Sequence, residues 1–81
     1  MVTADEWVEK GAKYFDKGKY NQAIDVYKKA LDIEPENVDV LIKLGLSYRH
    51  LEAYDTAIDF YDQALNIEPD NKIAISALSI Q

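Results

Sequence analysis

The chain has 81 residues, a formal net charge of −6 and no cysteine, with 48% apolar and 30% charged residues. Such a length makes one small domain that buries only about 60% of its unfolded surface, and the balance is that of a folded, soluble chain rather than a disordered one. Missing cysteine excludes disulfides and thiolate metal sites, and the acidic surplus argues against a nucleic-acid partner, since phosphate binding draws on clustered Lys and Arg.

The first five residues offer neither the basic segment nor the apolar core of a signal peptide. No run approaches the ~20 apolar residues of a membrane span. We therefore expect a soluble, cytoplasmic protein without a membrane partner. Thr3 followed by Glu6 fits a capping box, and Trp7, Gly11 and Tyr14 then fall at i, i+4 and i+7, the face of a first helix. Gly18, between two lysines, suits a tight turn. Asn21 is placed to cap a second helix, whose apolar stripe is Ala23, Ile24, Tyr27, Ala30 and Leu31. Pro35 cannot sit in a helix interior, and Asn37 can cap a third helix.

The same unit then recurs, 34 residues on. Leu41, Leu44, Gly45 and Tyr48 repeat the first helix, with Asp39 matching Asp5; Ala57, Ile58, Tyr61, Ala64 and Leu65 repeat the second, with Asp55 as its expected cap. Pro69 and Asn71 close the copy as Pro35 and Asn37 close the first, and all six tyrosines pair at this spacing. A fixed period of this size means stacked supersecondary units, none of which buries its apolar face alone. Gly11 and Gly45 each cost about 1 kcal/mol against alanine in mid-helix, so we expect another backbone to approach closely at both. The units differ in charge: residues 4–37 carry eight acids and six bases, net −2, and residues 38–71 carry seven acids and two bases, net −5.

Trp7, Gly11, Tyr14, Ala23, Tyr27, Ala30 and Pro35, echoed by Leu41, Leu44, Gly45, Tyr48, Ala57, Tyr61, Ala64 and Pro69, resemble the landmarks of the tetratricopeptide repeat. The resemblance covers residues 4–71 and departs from the family at Lys10, where leucine is usual. It implies an all-α fold, a right-handed α-solenoid of antiparallel helix hairpins, with units 4–37 and 38–71. Residues 72–81 then form the first helix of an incomplete third unit or a terminal cap. There Ile75 and Leu78 stand in register with Leu41 and Leu44, and Ser79 replaces glycine.

Catalysis has few groups to draw on: His50 is the single histidine, and Ser47, Ser76 and Ser79 lack an orienting His and Asp pattern. Neither a metal site nor a cofactor is expected, because no His or Cys pair and no calcium-loop spacing is present. Asp55, Asp59 and Asp62 read as the solvated side of a helix, and the tyrosines as core. The chain is thus expected to be no enzyme but a protein-interaction scaffold.

In the family resembled, the first helices line a concave groove that takes partner peptides. Here that groove is expected to present Val8, Ala12, Phe15, Ile42, Lys43, Leu46, Arg49 and His50 to a partly apolar protein or peptide. The clamp with which some members hold the acidic tail of heat-shock chaperones falls on Val8, Ala12, Lys43, Ile73 and Ala77. Only Lys43 could hold a carboxylate, so no binding through that clamp is expected. The alternative role is self-association through Ile73, Ile75, Leu78 and Ile80, in a tail that lacks any charge from Ile73 onward.

Overall fold

The computed structural model describes residues 2–79, and Ile80 lies outside them. Five helices run in order: α1 Ala4–Asp16, α2 Tyr20–Ile33, α3 Val38–His50, α4 Tyr54–Ile67 and α5 Lys72–Ser79. Among the described residues there is no strand. α1 packs on α2, α3 on α4, and α2 on α3 between the hairpins; α5 lies on α4 and touches α3. The chain is an α-solenoid of helix hairpins.

Three of the helix starts are set by side-chain caps. The Thr3 hydroxyl accepts the Glu6 N–H at 3.3 Å, and the side-chain oxygens of Asn37 and Asn71 accept those of Val40 and Ala74 at 3.2 and 3.0 Å. Each asparagine amide also donates back to a glutamate, Asn37 to Glu34 and Asn71 to Glu68, which braces the two proline loops. Asn21 and Asp55 do not cap as expected. α2 and α4 begin one residue before them, after Lys19 and Ala53, with no side-chain cap. The reason is the tightness of the turn, since the preceding helix ends so close that its own capping bonds fix where the next begins.

Those bonds are the same in both hairpins. Gly18 and Lys19 donate to Phe15 and Tyr14 carbonyls at 3.0 and 2.9 Å, and Glu52 and Ala53 to those of Arg49 and Tyr48, both at 2.9 Å. This is a Schellman closure, which needs a left-handed residue just past the helix. Gly18 has φ 75°, and Glu52, its counterpart, is held at 64°. A side chain there costs roughly 1–2 kcal/mol. Glu52→Gly is therefore expected to raise the unfolding free energy by about 1 kcal/mol, read as an increase in the urea midpoint with unchanged slope; an unchanged or lower midpoint would refute the strain.

The core is built from the repeated stripes. Ala23, Ile24, Tyr27 and Ala30 of α2 meet Val40 and Leu44 of α3, with Trp7, Tyr14 and Phe15 against them. Ala57 and Tyr61 of α4 meet Ala77 of α5. Gly11 and Gly45 are indeed sites of close approach, but an aromatic ring, not a backbone, is what approaches. A Cβ on Gly11 would lie 2.6 Å from Tyr27 Cε1, and one on Gly45 2.5 Å from Tyr61 Cε1. Each hairpin closes by seating a tyrosine ring on bare helix backbone.

Register also explains Lys10. Leu44, at the matching position of α3, is fully buried against α2. α1 has no helix on that side. Its surface there is an open recess of about 500 Å³ lined by Glu6, Glu9, Lys10, Lys13, Tyr14 and Lys17. Lys10 lies on that surface, its ammonium 5.7 Å from the Trp7 ring.

Candidate functional site

Side chains four apart on α1, and three, four and seven apart on α3, share one helix face. That spacing turns Val8 and Ala12 of α1 and Asp39, Ile42, Lys43 and Leu46 of α3 toward a common concavity, closed on its far side by Ile73 of α5. Its volume is about 290 Å³, and Tyr27 and Val40 reach it as well. A second recess of about 400 Å³ shares Leu46 and Ile73 and adds Arg49, Lys72, Ser76 and Ala77. The two make one trough along the first helices of the three units.

Of the eight residues expected to face a partner, Val8, Ala12, Ile42, Lys43 and Leu46 line the first recess and Arg49 the second. Ile42 forms floor rather than rim, being 4% exposed. Phe15 and His50 line neither recess. They are drawn into an aromatic cluster with Tyr20, which stacks on His50 with centroids 4.4 Å apart and planes 3° apart, while Phe15 meets both rings edge-on at 5.3 and 5.8 Å. Lys43 extends its ammonium 4.7 Å from the Phe15 centroid, a cation–π placement that ties the trough to the cluster.

The residues set aside for self-association are divided by the fold. Ile73 belongs to the trough. Ile75, two positions on and so about 200° round the helix, is 45% exposed on another flank, and Leu78 is half-buried against Ala57, Tyr61 and Ala77. Ile73 is one of the clamp positions the family resemblance assigns to the groove, and it stands in register with Asp5 and Asp39 of the other units.

Beneath the trough the two seated tyrosines carry hydroxyls with no hydrogen-bond partner. Burial, helped by the negative charge of Asp16, pushes the Tyr27 hydroxyl up to about 12. Burial also raises Tyr61, and the nearby Arg49 guanidinium opposes that rise without a hydrogen bond of good geometry to the oxygen. Among the described residues no group of three or more His, Asp or Glu side chains could hold a metal ion. Nor is any helix among them long and apolar enough to cross a membrane.

The fold has counterparts among known proteins. In human RNA polymerase II-associated protein 3, 29 residues are 59% identical, covering 36% of this chain and 4% of that protein. In bovine BBSome complex member BBS4, 41 residues are 44% identical, covering 51% of this chain and 8% of that protein. The chain thus spans less than a tenth of the length of these curated relatives. The crystal structure of MamA protein superposes with a TM-score of 0.77 at 29% identity, over 82% of this chain and 36% of that one. A structure of the first TPR of Spaghetti (RPAP3), bound to the HSP90 peptide SRMEEVD, superposes with a TM-score of 0.51 at 25% identity, over 95% of this chain and 88% of that one. The family model described as TPR repeat matches residues 11–51, about half of the chain, and that described as Tetratricopeptide repeat matches residues 38–71. Together with the period of 34 residues, these matches make the chain a member of the tetratricopeptide repeat family.

Proposed function

We propose that this chain is a non-catalytic interaction scaffold that takes a segment of a partner protein in the trough of α1, α3 and α5. The observation that carries this reading is the recess of about 290 Å³, in which Val8, Ala12, Ile42, Leu46 and Ile73 surround Lys43 and Asp39. That size and makeup, mostly apolar with a few convergent polar groups, suits a side chain or two of a bound segment. The RPAP3 domain seen with a bound peptide supports the use of this scaffold for peptide recognition.

The partner segment is partly apolar, with polar groups toward its ends. Over the first recess lie Val8, Ala12 and Leu46; Arg49 and Lys72 flank the second. The peptide SRMEEVD is not the ligand this trough selects. Of the clamp positions only Lys43 can hold a carboxylate, and one set instead against Val8, Ala12, Ile73 or Ala77 loses hydration without gaining a partner there. Titration of SRMEEVD by calorimetry is expected to give no saturable heat at micromolar concentration; micromolar binding lost in Lys43→Ala would contradict this.

The reading is tested by selecting peptides from a displayed library on the whole chain, with counter-selection on a Leu46→Asp variant. Leu46 is only partly buried, so the variant is expected to fold, as circular dichroism checks. Enriched sequences with apolar residues that bind the wild type and fail on the variant support the trough. Binders indifferent to Leu46→Asp would remove it as the site.

A further inference from the structure

The acidic unit turns both of its bases into the trough. Residues 38–71 hold seven acids and two bases, and those bases divide between the recesses, Lys43 lining the first and Arg49 the second. Of the seven acids only Asp39 lines either recess. Lys72, at the start of α5, joins Arg49, so the second recess carries two cations and no carboxylate. Its walls come from α3 and α5, and no residue of α4 lines it. A helix laid on α5 as α4 is laid on α3 would therefore leave it open.

A count of donors and acceptors specifies what fills it. Guanidinium and ammonium groups only donate, and the Ser76 hydroxyl is the one side-chain acceptor on the walls. Beneath the walls lies Tyr61, packed with Ala77 and close to Arg49, its buried hydroxyl without a partner. An apolar segment seated on Leu46 and Ile73 displaces water from this recess, and donors that lose water without gaining an acceptor are destabilising. The occupant has to bring the acceptor. A carboxylate does so with two oxygens and with charge, which makes the bonds to Arg49 and Lys72 stronger than those of a neutral carbonyl. Further carboxylates gain nothing, because the unit around the two cations is net −5. SRMEEVD, with three acidic side chains, meets that repulsion.

We propose that the second recess binds one side-chain carboxylate, from a glutamate or aspartate of the partner segment whose apolar residue enters the first recess, with Arg49 as its main partner. The proposal rests on the trough as the partner site and names the charge that the trough selects. Positive charge enters from Arg49 and Lys72, neither of which is a clamp position. A phosphate, with nearly two charges, is opposed by the same acidic unit.

The probes are the displayed-library peptides that bind the wild type and fail on Leu46→Asp. Each is also made with its acidic residue changed to the matching amide, and with phosphoserine in that place. Affinities are measured on the whole chain as wild type, Arg49→Gln and Lys72→Gln. Arg49 is partly exposed and Lys72 exposed, so both variants are expected to fold, as urea unfolding checks. The tight binders are expected to carry an acid, and their amide forms to bind about tenfold more weakly. Arg49→Gln should weaken the acidic peptide by the same factor and leave the amide peptide unchanged, with a smaller effect of the same kind from Lys72→Gln. Binders without an acid, equal affinity of acid and amide for the wild type, or an Arg49→Gln loss shared by both peptides overturns the carboxylate site while the trough stands. Tighter binding of the phosphoserine form overturns the choice of a carboxylate. If no peptide depends on Leu46, the trough and this site fall together.

Discussion

Gly45→Ala is expected to lower the unfolding free energy by about 1–3 kcal/mol, the range found when a packed core is forced to accept an extra carbon. In an isolated helix the same change gains about 1 kcal/mol. The difference in sign comes from one ring. A Cβ on Gly45 would stand 2.5 Å from Cε1 and 2.8 Å from Cδ1 of Tyr61, which is fully buried and has nowhere to retreat. In a Tyr61→Leu background, where the ring is gone, Gly45→Ala should turn neutral or stabilising. Urea unfolding of the four members of this double-mutant cycle checks the packing. A Gly45→Ala that stabilises the wild type, or the same loss with and without the ring, would contradict it.

High pH is expected to expose the second seated ring. The Tyr27 hydroxyl titrates at about 12 in the folded chain because it is buried and lies near Asp16; unfolded, it would titrate near 10. The folded state thus holds this proton more tightly. Its contribution is fully present below pH 10 and is lost as pH rises through 12, about 3 kcal/mol in all. Tyr61 is shifted in the same direction by its burial, though Arg49 works against it. Tyr27→Phe removes the titrating group and, with it, a buried hydroxyl that has no partner. The variant should match or exceed the wild type at pH 7, and should lose less stability between pH 9 and 12. Every other alkaline effect is common to both proteins and drops out of the comparison. A Tyr27→Phe variant with the same alkaline loss would show that the hydroxyl is not the cause.

The helices and their pairing were legible because the sequence states them twice. Period, apolar stripe and proline loop recur 34 residues apart, and Leu44 against Lys10 even marks which side of a first helix is covered. Less legible was what local chemistry decides in three dimensions. Asn21 and Asp55 look like caps by residue type, but the Schellman closures at Gly18 and Glu52 start the next helix one residue earlier. The mid-helix glycines announce a close approach without naming the approaching group, since a ring and a backbone demand the same vacancy.

At the trough, periodicity groups Val8 with Ala12 and Ile42 with Leu46 because each pair lies on one helix. Phe15 and His50 share that arithmetic and still line neither recess. Their place is set by Tyr20, which reaches them from the start of α2 across the hairpin junction. No pattern within one helix contains that contact. Tyr54, its counterpart in the second unit, is 50% exposed, with Arg49 where the first unit has Phe15. Ile73 was legible as a groove position through its register with Asp5 and Asp39, while its neighbours on α5 offer only eight residues in which to read a face.

Whether a partner segment lies in the trough of α1, α3 and α5 is read most directly from an amide chemical-shift map of the whole chain titrated with a library-selected peptide. Saturable shifts are expected at Val8, Ala12, Lys43, Leu46 and Ile73, lost together in Leu46→Asp. Shifts confined to the outer face of α4 around Asp55, Asp59 and Asp62, or to the Ile75 flank of α5, would contradict binding in the trough.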